Sequence, residues 1–229
     1  MLLSAEEWGI VLLSLKVGVT ATILLLPVAW GLAYLLARRA FPGKVLLDAA
    51  VHLPLVLPPV VVGYALLLLF APAGPFGPAV AWLTGGSLLF AWQGAALAAA
   101  VMALPLAVRA IRLGIEAIDP EVEEVARLLG ASRAQRIRRI VLPLSRPGIS
   151  AAAVLAFARA LGEFGATITF VASVPGATMT LPLAIHAALQ RPGGEAMVLR
   201  LSLLSIALSF AALIGSEVIA RRGRARGLD

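Results

Sequence analysis

Five long apolar runs determine what this chain can fold into. Each run exceeds the ~20 residues that an α-helix needs to cross about 30 Å of hydrocarbon. The composition agrees, because 61% of the 229 residues are hydrophobic and only 14% are charged, whereas a soluble domain is about half apolar and about a quarter charged. We therefore predict an all-α polytopic membrane protein with about five transmembrane helices. The predicted spans are residues 8–37, 49–71, 86–108, 148–174 and 198–220.

Several residues should interrupt straight spans. Pro27 lies inside the first run, where its missing N–H and its ring should kink the helix, and Lys16 allows that run to tilt or to begin as an interfacial segment. Pro58 and Pro59 break the second run midway. A broken span can line a cavity, but a kinked structural helix explains the same residues. Residues 179–189 are apolar but too short to span, and we interpret them as a re-entrant or interfacial segment.

The basic residues lie mainly on one side of these spans. Of the 19 Lys and Arg residues, 15 lie between spans one and two, between spans three and four, or after span five. Because loops rich in Lys and Arg remain in the cytoplasm, we predict an outside N-terminus, a cytoplasmic C-terminus and a cytoplasmic central loop. The 15 residues are Arg38, Arg39, Lys44, Arg109, Arg112, Arg127, Arg133, Arg136, Arg138, Arg139, Arg146, Arg221, Arg222, Arg224 and Arg226.

The polar residues argue against several other classes of function. The net charge of +7 accompanies few aromatic residues and lies beside apolar runs, so it indicates membrane topology and no nucleic-acid partner. Without cysteine the chain has no thiolate chemistry and no disulfide. His52 and His186 lie outside any HExxH motif, and Asp48 and Asp119 lie where helices begin. We therefore expect no catalytic site, no metal site and, since no Walker A loop occurs, no ATP hydrolysis by this chain.

The longest charged segment between two apolar runs covers residues 119–147. Asp119 and the proline after it are typical of a helix start, and Gly130 can end that helix in the left-handed conformation. Ser132 begins a capping box, so a second short helix should start there and end before Pro143. The sequence predicts a helix, a glycine bend and another helix at the cytoplasmic membrane surface.

The fourth span contains a charged pair. Arg159 lies near the middle of the bilayer and must face protein or water, and Glu163, one helical turn later, can pair with it within the helix. The pair can be purely structural, or it can line a polar pathway. Gly162, Gly165 and Ala166 should let another backbone approach closely.

The central loop also resembles the EAA loop of ABC importer permeases. Glu124-Val125-Ala126, Gly130 and Leu142-Pro143 occur at that family's spacing, with valine in place of the usual second alanine. In that family the loop forms a coupling helix that docks on a cytoplasmic ATP-binding subunit; the alternative is a solvated basic loop that only determines topology. The coupling residues that the resemblance implies are Glu124, Ala126, Arg127, Leu128, Leu129, Gly130, Ala131, Ser132, Arg133, Arg136, Leu142 and Pro143.

Further motifs resemble the molybdate permease branch of this family. They are GEFGAT at residues 162–167, VPG at 174–176, TLPLAI at 180–185 and LPLVLPPVVVGY at 53–64. Sulfate and tungstate permeases have similar stretches and remain alternatives. The resemblance covers essentially the whole chain, so residues 1–229 form one permease domain. The candidate pathway residues are Pro58, Pro59, Arg159, Gly162, Glu163, Gly165 and Thr167.

The resemblance implies a complete transport assembly. The chain would form a homodimer in a bacterial or archaeal cell membrane, with two cytoplasmic ATP-binding subunits and an extracytoplasmic substrate-binding protein. ATP would bind in the partner subunit, so this chain would need no cofactor. A passive channel or a membrane assembly factor is the alternative from another class, and a docking loop for an ATPase argues against it.

Overall fold

The spans and the central loop of this chain are helical. The computed structural model describes residues 3–225, which contain twelve α-helices and one π-helical segment, Ile137–Val141. Arg226, one of the basic tail residues, lies outside the described residues. The helices are α1 Ala5–Arg38, α2 Lys44–Val56, α3 Pro59–Phe70, α4 Gly77–Thr84, α5 Trp92–Glu116, α6 Pro120–Leu128, α7 Arg133–Arg136, α8 Leu142–Leu144, α9 Arg146–Leu161, α10 Gly165–Val171, α11 Leu181–Leu189 and α12 Glu195–Ala225.

Three helices are long and apolar enough to cross a membrane by themselves. They are α1, α5 and the Glu195–Gly215 part of α12. Two bent pairs pass the same test together: α2 with α3, bent by 116°, and Arg133–Leu144 with α9, bent by 63°. Counting each pair as one span gives up to five spans in the described part of the chain, in agreement with the prediction. α1 continues through Pro27 and does not end there.

The predicted third and fourth spans differ from the observed helices. The third was predicted over residues 86–108, but α5 begins at Trp92 and continues to Glu116. The fourth was predicted as one run over residues 148–174, but it is broken between α9 and α10. The break has a local cause. Gly162 and Gly165 flank it, and the Glu163 carboxylate accepts the N–H of Ala166 in place of a backbone carbonyl.

Small side chains allow the central helices to approach one another closely. α1, α5 and α9 form a bundle whose shared core contains alanines from all three helices, the pattern expected where helices associate in lipid. The break in the second run, at Leu57 and Pro58, directs α3 away from α2 and onto α10. The core alanines are Ala29, Ala33, Ala103, Ala107, Ala152 and Ala156.

The short apolar segment at residues 179–189 forms α11. Its nine residues cannot span the bilayer, as predicted. Leu181, Leu183 and Ala184 are buried against residues of α1 and α12, and the backbone N–H of Leu181 donates to the Ser14 hydroxyl at 2.7 Å. Contact with protein therefore stabilises this helix on the face that these residues form.

We expect the contact between α3 and α10 to reject even one added methyl group. A β-carbon at Gly63 would lie 2.5 Å from the carbonyl oxygen of Ala166 and 2.8 Å from the β-carbon of Thr169. Gly63→Ala should therefore lower the free energy of unfolding by about 1–3 kcal/mol. The matched control is Gly31→Ala, where nothing lies within 4 Å. Thermal unfolding in detergent measures both, and equal stability of the two variants would contradict the close contact.

Candidate functional site

The central loop begins with α6, whose two ends are capped as the sequence predicts. The Asp119 carboxylate accepts the backbone N–H two residues later at 2.9 Å. At the other end Gly130 has φ +83°, and its N–H donates to the carbonyl of Arg127 at 3.0 Å. The N–H of Ala131 reaches the carbonyl of Ala126 at 2.9 Å. These two bonds form a Schellman motif, which ends the helix sharply.

The second part of the loop is capped as predicted but does not end where predicted. Ser132 and Gln135 form both bonds of a capping box, at 3.3 and 2.7 Å. The helix was expected to end before Pro143, yet the chain passes through the π-helical segment into α8. The N–H of Leu142 donates to the carbonyl of Ile137, five residues earlier. This wider turn accommodates the proline, which lacks the N–H of a regular α-helix.

α6 carries an exposed apolar stripe. None of its residues is buried. Val122, Val125 and Leu128, with the C-cap residue Leu129, recur at intervals that place them near one face of the helix. The two leucines are 79% and 83% exposed. Contiguous apolar surface of this kind marks sites of protein or membrane contact. The stripe is therefore the strongest candidate for a docking surface.

Charged residues surround this stripe. Glu124 and Arg127 form an exposed ion pair at 2.8 Å, which contributes little to stability in water. The Arg136 guanidinium of α7 donates to the carbonyl of Ala131 at 2.8 Å, in the bend that follows α6. With Glu123 these charged side chains line a cavity of about 320 Å³. None of the twelve predicted coupling residues is buried: Ala126, Ala131, Arg136 and Pro143 are half-buried, and Glu124, Arg127, Leu128, Leu129, Gly130, Ser132, Arg133 and Leu142 are exposed.

Arg38 connects the loop to the transmembrane helices, a contact that the sequence did not predict. Its guanidinium donates to the carbonyls of Ile115 and Ile118 at 3.1 and 2.8 Å, and its Nε lies 3.0 Å from Glu123 Oε1. The end of α1, the end of α5 and the start of α6 are thereby joined through one side chain. The sequence assigned Arg38 only to topology, because no spacing rule relates residue 38 to residue 123.

The charged pair of the fourth span lies at its break. Arg159 Nη1 is 2.7 Å from Glu163 Oε2, which confirms the pairing. The pair was expected within one helix, but Glu163 lies beyond the end of α9. Its other carboxylate oxygen accepts the N–H of Ala166 at 2.8 Å. Only 2% of the Glu163 side chain is exposed, against 27% for Arg159, so both oxygens of a buried carboxylate have partners.

The remaining pathway candidates fall into different environments. A β-carbon at Gly165 would lie 2.7 Å from the β-carbon of Pro59, which confirms close approach there. The close approach predicted at Gly162 is not found, because an added β-carbon would meet only carbonyls of its own helix at 3.9 Å or more. Thr167 is buried, while Pro58 is exposed. Among the side chains described up to residue 215, no group of three or more His, Asp or Glu could hold a metal ion.

Comparison with known proteins supplies relatives over the whole chain. The family described as binding-protein-dependent transport system inner membrane component matches residues 26–225. The chain is 52% identical over 226 residues to the molybdenum transport system permease protein ModB of Escherichia coli, covering 99% of both chains. It is 39% identical over 159 residues to the sulfate transport system permease protein CysT of Salmonella typhimurium, covering 69% of this chain and 57% of that one.

A solved structure shares the fold. The crystal structure of a bacterial ABC transporter involved in the import of the acidic polysaccharide alginate matches with a TM-score of 0.74 at 17% identity. The match covers 96% of this chain and 80% of that one. At this identity the likeness extends to the helical architecture alone.

We expect the two charges at the break to depend on each other. Arg159→Met leaves the Glu163 carboxylate buried without its cation, which should lower the free energy of unfolding by about 3 kcal/mol. The double variant Arg159→Met with Glu163→Gln removes both charges and should regain most of that loss. Unfolding of the single and double variants in detergent measures the difference. A double variant as unstable as the single one would show that the pair does not account for the loss.

Proposed function

This chain belongs to the family of binding-protein-dependent transport system inner membrane components, and from that premise we propose that it is the permease subunit of an ATP-driven molybdate importer. Identity of 52% to a molybdenum permease over the full length supports this substrate. The sulfate alternative has weaker support, since identity to the sulfate permease is 39% over 69% of the chain. Membership of a transport family also favours a permease over a passive channel or an assembly factor.

The exposed apolar stripe on α6 is the observation that carries the proposed mechanism. Fully burying one leucine side chain is worth about 1.5–3 kcal/mol, so Leu128 and Leu129 together can provide much of a docking energy. We assign the stripe to a cytoplasmic ATP-binding subunit, which would hold the ATP that this chain does not bind. The charged rim of α6 and α7 would orient that partner.

The contacts of Arg38 suggest how movement of the ATP-binding subunit reaches the membrane. A displacement of α6 would act through Glu123 and Arg38 on the ends of α1 and α5. The 116° bend between α2 and α3 and the break between α9 and α10 supply points where the spans can change angle. The close contact of α3 with α10 favours their movement as one unit. Such movement would alternate the pathway between inward and outward openings.

The proposed assembly contains two copies of this chain. Large apolar side chains remain exposed on α2, α3 and α12, and a second permease copy would cover part of them. A separate extracytoplasmic substrate-binding protein would deliver the anion. At the break, both Glu163 oxygens are already occupied, so we infer that Arg159 and Glu163 stabilise the break and do not bind the anion. Near-normal molybdate uptake by the folded double-neutral variant is the expected result.

We expect α6 to be required for docking. Leu129→Asp places a charge on the stripe and should weaken co-purification of the ATP-binding subunit by about tenfold or more, since 1.4 kcal/mol corresponds to tenfold. Molybdate uptake should fall with it. Ala40→Asp is the control, because it adds the same charge to an exposed position of the other predicted cytoplasmic loop. Normal co-purification and uptake with Leu129→Asp would contradict the assignment of this surface.

The chain is a multi-pass inner membrane protein, and we propose that its N-terminus lies outside and its C-terminus in the cytoplasm. The distribution of basic residues supports this orientation. Because the chain has no cysteine, single cysteines can report each side. Ala73→Cys, at an exposed position of the loop after α3, should react with an impermeant thiol reagent from outside the cell, and Arg133→Cys should react only after the membrane is permeabilised. Labelling of both cysteine variants from the same side would contradict this orientation.

A further inference from the structure

A groove lies between α1 and α5, and residues of α3 and α4 also line it. Its volume is about 540 Å³, and it is lined mainly by aliphatic and aromatic side chains. Leu24 and Val28 lie on its α1 side and are 63% and 55% exposed. Trp92, Leu97 and Leu104 lie on its α5 side. Both helices are long enough to span the membrane, so the groove faces either lipid or another polypeptide.

A cation lies at one end of this groove. Lys16, Leu24 and Val28 fall on one stripe of α1, since they are separated by multiples of four residues. The Lys16 ammonium nitrogen lies 3.7 Å from the centre of the Trp92 ring, and among the side chains described up to residue 215 Lys16 forms no ion pair with a carboxylate. The ammonium group therefore lies beside an aromatic ring and an apolar groove, without a carboxylate partner.

The dimensions of the groove match one leaflet of a bilayer. α1 and α5 are antiparallel, because Lys16 meets Trp92 at one end and Arg38 meets Ile115 at the other. Twelve helical residues separate Lys16 from Val28, about 18 Å at 1.5 Å per residue. Half of the hydrocarbon thickness is about 15 Å. Lysine and tryptophan are also residues that place a polar end at the membrane interface.

We propose that this groove binds an anionic phospholipid, with one acyl chain between α1 and α5 and the phosphate on the Lys16 ammonium. In the orientation proposed above, the lipid belongs to the outer leaflet. An apolar groove alone would equally suit a second copy of this chain. Lys16 favours the phospholipid over a second copy. A buried apolar interface between two copies would leave the charge of Lys16 without compensation, whereas a phosphate group neutralises it.

The role of the Lys16 charge is tested by titrating the purified chain with palmitoyl-oleoyl phosphatidylglycerol. Native mass spectrometry counts the bound lipids. Lys16→Gln should weaken binding about fivefold, the factor that corresponds to about 1 kcal/mol per surface lysine. Arg191→Gln, which removes an exposed charge from another loop, should leave binding unchanged. Equal binding by the native chain and Lys16→Gln, or an equal loss with both variants, would overturn the proposal.

Binding of the acyl chain in the groove is tested by substitutions at two adjacent aliphatic residues. Leu24 lines the groove, whereas its neighbour Ile23 is as exposed, at 62%, but lies outside it. Leu24→Trp should fill the groove and reduce lipid binding severalfold, and Ile23→Trp should not. Each variant is first checked for the native unfolding temperature. If Leu24→Trp instead separates a dimer into monomers and leaves lipid binding unchanged, a second copy occupies the groove and the lipid assignment is wrong; if it does not fold, the Lys16→Gln titration decides alone.

Discussion

The Glu163 carboxylate makes a broken helix tolerable inside a membrane. A lipid environment offers no water to backbone groups that lose their helical partners, and each unpaired group costs several kcal/mol. Glu163 supplies an acceptor to the N–H of Ala166, and Arg159 neutralises the charge that this acceptor brings. This arrangement lies at the start of α10, the helix that packs on α3.

Much of the architecture could be predicted because the signals are local. Apolar length alone indicated the spans, and the caps at Asp119, Gly130 and Ser132 followed from residue types at fixed spacing. The break at Pro58 was also predictable, since proline removes a backbone donor. Such features depend on neighbours within a few residues, so a single sequence contains them.

The features that were missed depend on contacts between distant residues. Nothing near Arg38 indicates that it will meet Glu123, more than eighty positions away, and this contact joins the candidate docking loop to the spans. The break between α9 and α10 was missed because apolar residues continue across it. Nothing in that pattern shows that the N–H of Ala166 donates to the Glu163 carboxylate and not to a backbone carbonyl. The wrong prediction at Gly162 has the same cause. Gly162 and Gly165 are both glycines, but only Gly165 faces a neighbouring helix.

The π-helical segment at Ile137–Val141 lies between the docking loop and the fourth span. A π-helical turn holds one residue more than an α-helical turn, so it takes up an extra residue without rotating the side chains that follow. The same residue added to a regular α-helical turn would rotate those side chains by about 100°, the angle that one residue occupies. The wider turn therefore lets the loop differ in length by one residue while the side chains of α9 keep their neighbours.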